Sequence, residues 1–118
     1  ASTNLVRALL EEKLGYEVAI ATDPETALRM IREAPGAFDL VITDMTMPKM
    51  TGDDLSREIL NIRPGMKIIL CTGYSEKMSE ERARGIGIAR YIEKPVDMAT
   101  LANAARAVLD EKRPGRSS

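Results

Sequence analysis

The sequence predicts an α/β domain built on a parallel sheet with helices on both faces. Three observations lead there. Segments with a 3.6-residue apolar period alternate with short apolar runs, in the order helix, strand, helix, strand, helix, strand, helix, strand, helix. Such alternation belongs to parallel sheets joined by right-handed crossovers. The runs are continuous, as in Lys67-Ile68-Ile69-Leu70-Cys71, too short for a helix and suited to a strand covered on both faces. Turn-forming pairs, Pro35-Gly36 and Pro64-Gly65, close two of the helical segments,.

Taken in order, Leu5, Val6, Leu9, Leu10 and Leu14 form a helical stripe over residues 2–14, stopped by Gly15,. Tyr16 to Ala21 reads as a strand. Asp23-Pro24 opens the next helix as N-cap and first helical residue, and Ala27, Leu28 and Ile31 form its buried face. Phe38 to Thr43 is the strand that delivers Asp44, followed by a loop punctuated by Pro48 and Gly52. Leu55, Ile59 and Ile62 mark a third helix, with Asp53 and Asp54 favouring its N-terminus. The strand ending at Cys71 leads into Thr72-Gly73. A short charged helix spans Ser79 to Arg84, where Glu80 and Arg84 can pair one turn apart. Gly85 and Gly87 are expected to loosen its end, making it the most mobile segment. Ala89 to Ile92 is the last strand, broken by Lys94-Pro95. The final helix puts Met98, Leu101, Ala102, Ala105, Val108 and Leu109 on one face. The expected organisation is one domain over residues 1–111 with a frayed polar tail at 112–118.

Composition narrows the function. A formal net charge of -1 leaves no basic footprint for nucleic acid and no polybasic membrane patch,. The absence of His excludes His-based metal sites and His general-base catalysis, and Cys71 is the lone cysteine, so no internal disulfide forms,. It reads as a small buried hydrophobe. No apolar run approaches the ~20 residues of a membrane span, and the N-terminus lacks the pattern of a signal peptide. A cytoplasmic location is expected. With 3% aromatics and no Trp, the core must be aliphatic and Met-based.

Three strands end in a polar residue before a loop: Asp44, Thr72 and Lys94. In a parallel sheet all strand C-termini share one edge, where open α/β folds place their ligands. An acid, a hydroxyl and an ammonium there suit phosphoryl transfer, with the carboxylate as nucleophile and the other two serving phosphoryl oxygens. Taken singly, each has a plainer reading: Asp44 as a turn former or cap, Thr72 as a turn residue, Lys94 as a solvated turn lysine.

Together with Asp44-Met45-Thr46-Met47-Pro48-Lys49-Met50-Thr51-Gly52, the segments Cys71-Thr72-Gly73 and Tyr91-Ile92-Glu93-Lys94-Pro95 resemble the receiver domain of two-component response regulators. The resemblance runs from about Leu5 to Leu109. It implies a flavodoxin-like doubly wound sheet and a signalling module, not an enzyme. Asp44 would be the phosphoacceptor, taking a phosphoryl group from a phosphohistidine on a histidine kinase or phosphotransfer protein. Thr72 would be the switch hydroxyl, Lys94 the lysine contacting a phosphoryl oxygen, and Tyr91 the aromatic whose rotamer reports the state. Thr46 would offer its backbone carbonyl, beside the Asp44 carboxylate, to Mg²⁺. Gly73 would keep the mouth of the site open, and Lys94-Pro95 would be joined by a cis bond. By analogy a homodimer could form through the last strand and helix.

Receivers begin with a strand ending in an adjacent acidic pair that holds Mg²⁺, and the sequence at hand begins at Ala1, just after the place of that pair. The expected metal site is therefore incomplete and the sheet lacks a central strand between those ending at Ala21 and Thr43. Three lost aliphatic side chains at ~1.5–3 kcal/mol each would remove about 5–9 kcal/mol from a stability of about 5–15 kcal/mol. A strand from another chain, closure of the flanking strands, or a truncated sequence would each account for this, and truncation is the preferred expectation. Two other functions compete. A pseudo-receiver would bind its partner without phosphorylation. A haloacid-dehalogenase-type phosphohydrolase would need a second Asp where Thr46 stands.

Overall fold

The computed structural model describes residues 11, 15–73 and 79–110. The helix expected over 2–14, apart from Glu11, and the tail at 112–118 lie outside them. Four strands, β1 (Val18–Ala21), β2 (Leu40–Asp44), β3 (Ile68–Thr72) and β4 (Arg90–Glu93), alternate with four helices: α1 (Pro24–Glu33), α2 (Gly52–Ile62), α3 (Glu80–Ile86) and α4 (Met98–Asp110). All strand pairs are parallel and the sheet order is β1-β2-β3-β4.

The continuous apolar runs are buried on both faces. Val41, Ile68 and Leu70 pack against Ala27, Leu28 and Ile31 of α1, Leu55 and Ile59 of α2 and Ala83 of α3. On the opposite face Leu40, Ile42, Ile69, Cys71 and Ile92 meet Leu101, Ala104, Ala105 and Val108 of α4. The predicted face of α4 is right in outline, but Met98 is left exposed and Ala104 takes a buried place. Aromatic residues contribute little, as composition required.

The strand that the resemblance places between β1 and β2 has no room. β1 and β2 are direct neighbours, with Val18 opposite Leu40 and Ala21 opposite Thr43. The flanking strands close up on each other, one of the accommodations considered from sequence and compatible with a truncated sequence. The physical reason is that Leu40 to Thr43 are buried, and buried backbone groups must find hydrogen-bond partners.

Helix ends follow local chemistry. Asp23 caps α1, accepting from the Thr26 amide at 2.9 Å and its hydroxyl at 2.8 Å, with Pro24 at the first turn. Ser79 accepts from the Arg82 amide at 3.1 Å. The helix expected to end at Arg84 instead runs through Gly85 to Ile86. Gly87, at φ 108, closes it with a left-handed cap whose amide donates to the Ala83 and Arg84 carbonyls, a geometry that favours glycine. These turns bring the C-terminal ends of all four strands to one edge. Among the described residues no helix is long and apolar enough to cross a membrane.

Candidate functional site

Asp44 is the last residue of β2, opposite Cys71 in β3. The Met45 amide donates to the Cys71 carbonyl at 2.8 Å, so the strand pairing continues past the carboxylate and fixes its base. The side chain is half-buried. Lys94, just beyond β4, brings its Nζ to 3.1 Å from Asp44 Oδ1. Its backbone amide donates to the Thr72 carbonyl at 2.7 Å, and its peptide to Pro95 is cis, as the resemblance implied. The three strand-end groups read from sequence thus gather at one edge. Asp44 and Lys94 are in direct contact, and Thr72 is tied to Lys94 through the backbone.

The Asp44–Lys94 side chains keep 49% and 42% of their surface exposed, so water screens the pair and its contribution to stability is small. Accessibility to an incoming group is the more useful property. Thr72 is the opposite case, with 0% exposure and a buried hydroxyl without a hydrogen-bond partner among the described residues. A buried hydroxyl left unsatisfied costs about 1–3 kcal/mol. Cys71 lies beneath the pair. Burial, reinforced by the Asp44 charge and opposed by Lys94, pushes its thiol up to about 11, so it behaves as the inert apolar residue expected.

The loop after Asp44 is held more tightly than its composition suggested. The Gly52 amide donates to the Met45 carbonyl at 2.7 Å, and a Cβ at Gly52 would stand 2.2 Å from the Asp44 carbonyl oxygen and 2.7 Å from Leu70 Cδ1. Only glycine lets α2 start this close to the acceptor strand. Lys49 adopts φ 73, and its ammonium meets Glu25 Oε1 of α1 at 3.0 Å. Thr46 lies exposed between these anchors, and Gly73 is half-buried beside Thr72.

Tyr91 does not join the cluster. It sits within β4, half-buried, with its hydroxyl 3.4 Å from Glu93 Oε2. With Glu80, Ala83, Arg84 and Ile88 it lines a recess of about 210 Å³ between α3 and β4. A recess of about 410 Å³ between β1 and α1 is lined by none of Asp44, Thr72 or Lys94. Chemical convergence, not cavity size, therefore marks the site.

A family model for the response regulator receiver domain matches residues 1–106. The chain belongs to this family. The receiver is 32% identical over 112 residues to the DNA-binding transcriptional regulator NtrC of Azospirillum brasilense, covering 95% of this chain and 22% of that protein. It is 32% identical over 105 residues to the response regulator receiver protein CpdR of Brucella abortus (strain 2308), covering 89% of this chain and 84% of the relative. A response regulator receiver domain protein from Clostridium thermocellum has a similar structure, with TM-score 0.75 and 35% identity over 92% of this chain and 84% of the other. The sheet and its helices are the flavodoxin-like fold of the family.

Receivers bind Mg²⁺ at an acidic pocket. The described donors of this receiver do not complete such a site. The Asp44 carboxylate is itself in contact with Lys94. No group of three or more acidic or Cys side chains stands together among the described residues. Magnesium keeps near-octahedral oxygen coordination, usually with one or two carboxylates besides substrate phosphates, so no step is derived through a metal.

Asp53 stands in the first turn of α2, as expected of an acid at a helix N-terminus. Its burial, at 5% exposure, is the feature that sequence reading did not supply. The carboxylate accepts from the Thr51 hydroxyl at 2.5 Å. Burial pushes its pKa up, but the bonds from Thr51 and the backbone amides of Asp54 and Asp53, with the charge of Arg57, outweigh this and hold it below the ordinary value. The Thr51-Gly52-Asp53 spacing was the available signal. Its burial depends on α3, which arrives much later in the chain.

Proposed function

We propose that this receiver works in the cytoplasm and accepts a phosphoryl group on Asp44 from the phosphohistidine of a histidine kinase or phosphotransfer protein. The observation that carries the reading is the Lys94 ammonium 3.1 Å from Asp44 Oδ1 at the sheet's C-terminal edge. An Asp44 oxygen attacks phosphorus and forms the O–P bond of an acyl phosphate. The N–P bond breaks, and its electron pair leaves with the imidazole, which departs neutral by keeping the proton on its second nitrogen or by taking one from solvent. Lys94 neutralises phosphoryl oxygens as charge moves toward the acceptor.

The transfer replaces one carboxylate charge by a phosphoryl group carrying about −1.5 to −2. In this reading the Thr72 hydroxyl donates to a phosphoryl oxygen, supported by its lack of a partner among the described residues. Tyr91 then changes rotamer beside the recess it lines, and the surface of α3, β4 and α4 is read by a partner or a second copy. The protein is a substrate of the transfer and does not turn over phosphate esters. In this reading the Asp44 carboxylate and the Thr46 backbone carbonyl would be donors to Mg²⁺.

The test is incubation with a small acyl phosphate and Mg²⁺, followed by intact-mass measurement. Gain of one phosphoryl group by the native protein and none by Asp44→Asn is expected. Labelling that survives Asp44→Asn overturns the assignment. The small donor set around Asp44 favours a second reading, a pseudo-receiver that docks without phosphorylation. Partner affinity unchanged by phosphodonor would select it.

A further inference from the structure

Helix α3 has few means of holding its place. It has seven residues and buries only Ala83, and isolated helices this short are not stable in water. At its C-terminal end Gly87 approaches α2, where an added Cβ would stand 3.1 Å from Leu60 Cδ1. At its N-terminal end Arg82 reaches across to Asp53, with Nη2 3.8 Å from Oδ2. The same oxygen faces Arg57 Nη1 at 3.6 Å, one turn along α2, and Asp53 Oδ1 accepts from Thr51. Asp53 directly follows Gly52, which lies against the Asp44 carbonyl.

We propose that Asp53 is a latch that ties α3, through Arg82, to the backbone platform beneath Asp44. A carboxylate this buried is costly to leave without partners, and Arg82 is one of those it has. Both arginines keep about half of their side-chain surface exposed, 45% for Arg57 and 53% for Arg82, so Arg82 can exchange Asp53 for water. Its release frees the N-terminal turn of α3 while Arg57 and Thr51 continue to satisfy Asp53. The latch thereby makes α3 a two-position element whose balance can be changed from either end, at the acceptor platform or at the surface. It depends only on contacts of the fold and holds whether or not Asp44 accepts a phosphoryl group.

Hydrogen exchange of the whole chain, read by mass spectrometry, tests the latch without phosphorylation. Arg82→Gln is expected to speed exchange of the amides of residues 83–87 by about threefold or more, leaving residues 101–108 of α4 unchanged. Arg82→Lys should restore much of the protection, and adding Asp53→Asn to Arg82→Gln should speed residues 83–87 no further. Unchanged exchange at 83–87 in Arg82→Gln overturns the proposal, as does equal acceleration in α4. An equal effect of Arg57→Gln also overturns it, because that change leaves the α2–α3 bridge in place. Arg82 is exposed, so its variants remain decisive even where Asp53→Asn fails to fold.

Discussion

Thr72 carries an apolar and a polar group with different surroundings. It sits at the buried end of β3, and its hydroxyl has no hydrogen-bond partner among the described residues. Thr72→Val keeps the shape and removes the polar group, so unfolding in urea should show stability unchanged or raised by up to ~1 kcal/mol. Under the proposed function the same variant accepts phosphoryl but loses the conformational response, measured as the phosphodonor-induced change in partner affinity. Gly52 behaves in the reverse way. Gly52→Ala drives a methyl into the Asp44 carbonyl and should cost about 1–3 kcal/mol in the same experiment, with labelling of Asp44 impaired. Cys71, with its thiol at about 11 and 6% exposure, should resist alkylation at pH 8 in the folded protein and react promptly in denaturant. Asp44, Thr72 and Lys94 were legible from sequence because topology alone sends parallel strand ends to one edge. Gly52 and Asp53 were not, because Gly52 answers to how closely α2 approaches β2 and β3, and Asp53 to where Arg82 of α3 falls.

Element by element, the chain declares type more clearly than boundary. The spacing of Ala27, Leu28 and Ile31, and of Leu101, Ala105 and Val108, names helical faces that the structure buries. Leu101→Ala should therefore cost about 2–5 kcal/mol in urea unfolding, since its side chain fills the face between α4 and the sheet,. Strand ends shifted by one or two residues, because apolar periodicity marks the core and leaves open where the last ladder bond forms. Gly85 and Gly87 were both read as loosening α3. Backbone geometry gives them different places, one inside the helix and one at the left-handed cap, a distinction that composition does not carry. The direct β1–β2 pairing was legible only as one of several options, since strand order is set by contacts across the whole sheet.

For the molecule as a whole, ionisation links stability to pH with a definite sign. Hydrogen bonds from Thr26 lower the pKa of Asp23, and those from Thr100 lower that of Asp97. Asp53 is also held below 3.8. Groups with depressed folded-state values stabilise the protein above the unfolded value and lose that contribution as pH falls through the folded one. Thermal stability should thus hold above pH 3.8 and fall progressively below it, and Asp53→Asn should flatten that acid limb. The central claim, however, concerns Asp44. Borohydride reduction after exposure to an acyl phosphate, followed by peptide mass mapping, reads the acylated carboxylate directly. Conversion of Asp44 to homoserine is the predicted result, and a modified residue elsewhere with Asp44 intact would contradict the account.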